Sequence, residues 1–235
     1  DCLNTLAAVA VRTSRIKLIT GVVQVPLYNP VDLARRVVTI DHMSHGRLLL
    51  GVGIGWIPRE VEMQGIPFNE RGRRCDESLE IMTRLWTQEG ELNYQGRFYT
   101  VSELEMEPKP VQKPYPPILY GGGFSTSERW APGAKPPDGL LDRIMRRIVK
   151  HCDGWIPEVS MGKEDLKGGM RKIKESAARE GRAITKENFD FSVISYAAIN
   201  IDDTEAKAEE EAHRFYATRV KKGFYQVQSN PSFEG

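Results

Sequence analysis

Short apolar runs and stretches of helical period take turns along this chain. Residues 15–25 alternate and then run apolar through Ile16, Leu18, Ile19, Val22, Val23 and Val25, the pattern of a strand. Asn29-Pro30 follows, a cap residue with proline at the first helical position. Val31, Ala34, Val37, Val38 and Met43 then recur at helical spacing as far as Ser44, where His45-Gly46 supplies a stop. Residues 47–56 read Arg-Leu-Leu-Leu-Gly-Val-Gly-Ile-Gly-Trp. A continuous apolar run of this kind suits a strand buried on both faces, and the glycines after it leave backbone amides open to a ligand. Strand, helix and strand in this order make a βαβ unit.

The alternation continues. Asn69 is placed to cap a helix over residues 70–88, with Cys75, Leu79, Met82, Leu85 and Trp86 on its inner face. A polar, hairpin-like excursion at 91–99 leads into Glu107-Pro108-Lys109-Pro110, a stiff connector. Residues 117–120 form a third strand ending in Gly121-Gly122-Gly123, and a helix is predicted over 140–150. A fourth strand at 153–157, a helix at 164–180 stopped by Gly181, a fifth strand at 191–201 and a charged helix at 203–221 complete the pattern. Such alternation specifies an α/β fold and leaves both a doubly wound sheet and a (β/α)8 barrel open. Either places ligands beyond the carboxyl ends of the strands, and two of those ends are glycine-rich.

Composition narrows the function classes. The 235 residues are 40% hydrophobic and 28% charged, as in an ordinary globular protein, and a net charge of +1 gives nucleic acid or an anionic membrane no electrostatic handle. No apolar run approaches the ~20 residues of a membrane span, and the first residues lack a secretory pattern. Three dispersed cysteines, Cys2, Cys75 and Cys152, argue against a disulfide framework or zinc site and point to a reducing cytoplasm.

Each candidate chemistry has a plainer structural alternative. The glycines at 51, 53 and 55 miss the dinucleotide fingerprint, whose third glycine would fall at Trp56 or Pro58; ring or phosphate binding competes with close packing at a strand end. Residues 121–125 offer amides and the Ser125 hydroxyl to a phosphate, or else form a turn. His42 and His45 lie three apart without a carboxylate or cysteine cluster, so no metal is expected. Cys152 has only the adjacent His151 and does not read as a nucleophile. Trp56 and Trp155 wall a pocket or plug a core, while Arg143, Arg146, Arg147 and Lys150 read as a solvated helix face.

The blocks Ser14-Arg-Ile-Lys-Leu-Ile-Thr-Gly-Val22, Asp41-His-Met-Ser-His-Gly-Arg47, Gly51-Val-Gly-Ile-Gly-Trp56, Gly65-Ile-Pro-Phe-x-x-Arg-Gly72, Pro116-Pro-Ile-Leu-Tyr-Gly-Gly122 and Asp153-Gly-Trp-Ile-Pro157 are collinear. Together they resemble the luciferase-like flavin monooxygenase superfamily, in particular its branch of oxidoreductases using the deazaflavin coenzyme F420. The resemblance implies a (β/α)8 barrel of the luciferase-like type holding F420 or FMN non-covalently at its carboxyl-terminal mouth. It implies hydride transfer or monooxygenation of a small organic substrate, in a cytoplasmic homodimer or larger oligomer. A non-prolyl cis peptide at Gly21-Val22 would make a bulge under the central ring. Gly53, Ile54, Gly55 and Trp56 would lie along the ring and ribityl tail, and Gly121, Gly122, Gly123 and Ser125 near the tail phosphate. Glu60, the first acidic residue after the glycines, is the candidate for proton handling.

Departures from the family pattern accompany this. Residue 16 aligns within the third barrel strand, so the first two strands and the eighth are missing, five strands standing where eight are needed. The chain 1–235 therefore reads as a single barrel domain truncated at both ends. The connection 124–150 is longer and richer in proline than the family's. Trp56 stands where sugar-phosphate dehydrogenases of the family carry a glutamate, which disfavours that substrate class. The competing readings are a non-catalytic flavin-binding or structural relative, an inactive fragment, and a doubly wound nucleotide-binding enzyme.

Overall fold

The computed structural model describes residues 1–122, 139–158, 161 and 163–191, with single positions at 204, 206, 207, 210 and 214. The chain divides into a unit Asp1–Ile194 and a unit Ser195–Gly235. The elements below belong to the first.

A helix beyond those expected from the sequence opens the chain: α1, Cys2–Arg12, capped by Asp1, whose carboxylate accepts from the Asn4 amide at 2.8 Å. The strand predicted over 15–25 is split into β1, Leu18–Ile19, and β2, Val23–Gln24, on either side of a cis Gly21-Val22 peptide. Helix α2, Pro30–Met43, is capped by Asn29, whose side-chain oxygen accepts from Val31 at 2.9 Å and Asp32 at 3.4 Å. His45 at φ +54° and Gly46 at φ +75° reverse the chain after it, and the Gly46 amide returns to the Asp41 carbonyl.

Strand β3, Leu48–Gly53, is followed by a short helix α3, Pro58–Glu62, and by α4, Arg71–Thr87. Asn69 does not cap α4 as expected. It lies inside a 3-10 turn, Phe68–Glu70, that enters the helix with Glu70 at the cap position and no side-chain bond there. The polar excursion is an antiparallel hairpin of β4, Leu92–Gln95, and β5, Thr100–Leu104. There follow β6, Ile118–Gly121; α5, Leu140–His151; β7, Gly154–Ile156; α6, Lys163–Arg179; and β8, Asp190–Phe191. The remainder of the predicted fifth strand, and the predicted last helix apart from its single positions, lie outside the described residues.

Six strands form one parallel sheet, with β1 and β2 both paired to β3, then β6, β7 and β8. Leu18 stands beside Leu48, Val23 beside Val52, Leu50 beside Ile118 and Leu119 beside Gly154. Spatial order follows sequence order among the described strands, as expected when each crossover advances by one strand. Leu48, Leu50, Val52, Ile118 and Trp155 from the sheet are fully buried with Leu33, Val37, Leu79 and Met82 from α2 and α4. The Trp86 indole N–H donates to Ala34 O at 3.2 Å, tying α4 to α2.

Two buried ionic groups set the end of the sheet where the strands begin. Arg47 Nε donates to Ser44 O, Nη1 to Thr13 Oγ1 and Ile16 O, and Nη2 to Ala10 O and Thr13 O, all within 3.0 Å. All five N–H groups of the guanidinium are thus used, and the terminal carbonyls of α1 gain a cationic cap. Asp41, fully buried, accepts from the amide and the side chain of Gln112 at 3.0 and 2.8 Å. Lys109 Nζ donates to Leu85 O and Gln88 O, so the proline-rich connector straps α2 to α4. Arg47→Met should strand these carbonyls and lower stability by about 3 kcal/mol, read as a urea midpoint shift.

Candidate functional site at the carboxyl edge of the sheet

Because the sheet is parallel, β2, β3, β6 and β7 all finish on one edge. Val22, half-buried, projects there between β3 and β6. A β-carbon on Gly53 would come within 2.7 Å of Val22 Cγ2, and one on Gly121 would overlap Val22 Cγ1. A β-carbon on Gly51 would overlap the Thr20 carbonyl oxygen, while Thr20 Oγ1 donates to Gly51 O at 2.7 Å. The space vacated by these three glycines is filled by residues 20–22, so close packing accounts for them. Gly55 differs: it sits at φ +78°, where a side chain is strained, and its absent β-carbon would stand 2.8 Å from Gln24 Oε1.

The remaining predicted residues separate into those at this edge and those elsewhere. Ile54 is half-buried, and Trp56 is 60% exposed beyond the end of β3. Glu60 on α3 is exposed and accepts a hydrogen bond from Gln24 Nε2 at 3.2 Å. Trp155 is a core plug rather than a pocket wall: it is fully buried, and its indole N–H donates to Gly122 O at 2.7 Å. Gly122 follows Gly121 at φ +155°, whereas Gly123 and Ser125 lie outside the described residues. A ring nitrogen of His42 lies 2.8 Å from Lys109 O, and no metal-holding group of three ligands exists among the described residues.

Sequence reasoning passed over three polar groups that the fold brings to bear. Gln24 pairs with Gly53 in the ladder, which sets its side chain at the sheet edge. Arg71, inside the Gly65 to Gly72 block but given no role, donates from Nε to Gly55 O at 3.1 Å and from Nη1 to Phe68 O at 2.6 Å. Its guanidinium stacks 3.5 Å from the Phe68 ring centroid and pairs with no carboxylate among the described residues. Partial burial lowers its pKa, and Arg147 adds to this while Tyr120 opposes it.

Arg147 is the third: Arg143, Arg146 and Lys150 are exposed as expected of a solvated basic face, but Arg147 is buried. It is 6% exposed, grips Asp76 from Nε at 2.5 Å and Nη2 at 3.1 Å, and donates to Gly72 O at 2.9 Å. Burial opposes its charge, yet Tyr120, Cys75 and Asp76 together hold its pKa above the ordinary arginine value. The neighbouring thiols are unreactive: burial pushes Cys75 up to about 12 and Cys152 well above its usual range. His151 moves the other way, burial taking it down to about 4 with Lys150 and Arg147 assisting and Asp76 opposing.

Residues 1–134 and 138–232 match the family model described as luciferase-like monooxygenase. An uncharacterised Mycobacterium tuberculosis protein is 37% identical over 153 residues, 65% of this chain and 48% of that one. The FMNH2-dependent dimethylsulfone monooxygenase of Pseudomonas putida is 27% identical over 222 residues, 91% of this chain and 55% of that one. A solved monooxygenase from Streptomyces bottropensis gives a TM-score of 0.69 at 26% identity, covering 95% of this chain and 64% of its own. The coenzyme F420-dependent tetrahydromethanopterin reductase of Methanopyrus kandleri shares the fold, with a TM-score of 0.67 at 22% identity over 94% of this chain and 60% of its own. The chain spans about half the length of the curated relatives it matches.

Two measurements check this geometry. Gly121→Ala should lose about 1–3 kcal/mol by urea unfolding, and Val22→Ala in the same chain should recover most of that loss if the clash is its cause. The His151 shift sets a pH dependence. Its folded value lies below the unfolded one, so its stabilising contribution is full above about pH 6.5 and is lost as pH falls toward 4. The His151→Gln variant should lose less stability than the parent between those pH values.

Proposed function

Since the chain belongs to the luciferase-like monooxygenase family, we propose that it is an oxidoreductase binding FMN or F420 at the carboxyl-terminal mouth of a (β/α)8 barrel. The substrate in this proposal is a small organic molecule, and the assembly a homodimer or larger oligomer in the cytoplasm. On this reading β1 with β2, then β3, β6, β7 and β8, are successive barrel strands, which their parallel, sequential pairing supports. No helix among the described residues is long and apolar enough to cross a membrane.

The observation that carries the proposal is the Val22 ridge wedged between the ends of β3 and β6. A flavin-type cofactor has a flat ring, an edge bearing N–H and C=O groups, and an anionic tail. The residues present fit each part. Val22 supplies an apolar ridge on a packed base; among the described residues, Gln24 offers an amide whose Oε1 is buried without a partner, and Arg71 a cation with no carboxylate. When bound, the cofactor supplies hydride transfer or oxygen activation, chemistry that no side chain here provides.

The chain's own part is binding and orientation. Val22 would support the ring, Gly53 and Ile54 would run beside it, and the exposed Trp56 would cover it from the end of β3. Arg71 would hold the phosphate, its fork kept in place by Gly55 O, Phe68 O and the Phe68 ring. Gly121 and Gly122 bring backbone to the same edge. Glu60 is the carboxylate available for proton transfer, with Oε2 already shared with Gln24.

Titrating the protein into FMN and, separately, F420 should change the fluorescence of at least one of them; silence from both would reject the reading. Arg71→Met should weaken FMN binding about tenfold while leaving riboflavin, which lacks the phosphate, unaffected.

A further inference from the structure

The amide of Gln24 is oriented by chemistry. A carboxylate only accepts, so the atom 3.2 Å from Glu60 Oε2 is the nitrogen, and the oxygen must face the other way. That oxygen is buried and has no hydrogen-bond partner among the described residues. A buried acceptor left unpaired is destabilising, and its survival in a folded protein needs a reason. The cover over it is the turn at Gly55, from which residues 55–65 run to a second glycine of positive φ, Gly65 at +72°. This segment carries two large exposed apolar side chains, Trp56 at 60% and Met63 at 74%, and is held inward by Val61, the Gln24–Glu60 bond and the bond from Arg71 to Gly55 O.

We propose that Gln24 reads a ring N–H of the bound cofactor through Oε1, and that Glu60 is the positioning residue that fixes its amide for this purpose. The proposal rests on the flavin-type reading above and adds the ligand group recognised: the N–H of a cyclic imide, the one donor on an otherwise acceptor-rich pyrimidine edge. Glu60 keeps the nitrogen engaged, so the oxygen cannot be replaced by a donor through rotation of the amide. Entry of the ring against the Gly55 turn supplies the partner the oxygen lacks. The glycine matters for the same reason, since a β-carbon there would stand 2.8 Å from the oxygen.

The test uses flavin and 8-hydroxy-5-deazaflavin rings, each as its N3–H form and its N3-methyl form, in fluorescence titrations of the intact chain. The parent protein should bind at least one N3–H ring about tenfold more tightly than its methylated counterpart. Gln24→Met should bind both forms equally, and Glu60→Leu should reduce the preference. Comparing the two forms on the parent protein needs no variant, so a misfolded variant does not obscure the answer. Equal binding of both forms by the parent, or a preference that survives Gln24→Met, overturns the role of Gln24 while leaving the cofactor reading intact. Failure of every ring to bind overturns both.

Discussion

Val22 stands between the ends of β3 and β6, where its two methyl groups occupy the room that β-carbons on Gly53 and Gly121 would need. Overlap of heavy atoms rises far more steeply than any single hydrogen bond can offset, so this contact dictates residue type at both glycines. Thr20, two residues earlier, does the same to Gly51 through its carbonyl oxygen and adds a 2.7 Å bond to Gly51 O. The consequence reaches past packing. Once residues 20–22 are wedged into the sheet, β2 resumes in register with Val52 and Gly53, and Gln24 arrives at the edge beside Glu60 and Gly55.

The rest of the unit behaves as a scaffold for that edge. At the opposite end, Arg47 and Asp41 gather carbonyls and amides from α1, α2 and the proline-rich connector, using all five N–H groups of Arg47 and both carboxylate oxygens of Asp41. Arg147 plays a similar part between α4 and α5, gripping Asp76 and Gly72 O beneath the start of α4. Removing one partner from such a buried pair is costly because the other charge is left without water or a counter-ion. These groups hold the frame, while the candidate chemistry belongs to residues at the far end of the strands. That division is the one expected of a parallel α/β sheet, whose carboxyl edge carries sites and whose amino edge carries stability.

Much of the fold was legible because it is encoded locally. Asn29-Pro30 marks the start of α2 through groups only two or three residues apart, and the glycine stops and the hairpin predicted over 91–99 are equally local. The cis Gly21-Val22 peptide came from family resemblance, since no periodicity signals it. Elsewhere the deciding partner is mostly distant in sequence. Nothing in Arg143 to Lys150 reveals that Arg147 faces Asp76, 71 residues away. Trp155 suits a pocket wall or a core plug equally by sequence, and its N–H to Gly122 O decides for the core. Asn69 has a good cap residue's side chain, but the 3-10 turn placed it one step too early. Helix α1 does carry Leu3, Leu6, Ala7 and Ala10 at helical spacing, and its end is held by Arg47, 35 residues beyond it.

By itself, then, the order of residues determined the alternation of strands and helices, the boundaries set by caps and glycines, and a family likeness carried by short collinear blocks. These are properties of neighbouring residues and of side-chain volume along one face. Tertiary structure alone decided which glycines make room for protein rather than ligand, which arginines are buried, and which amide oxygen is left waiting. Each of those depends on atoms that only chain folding brings together, and on the exclusion of water that follows.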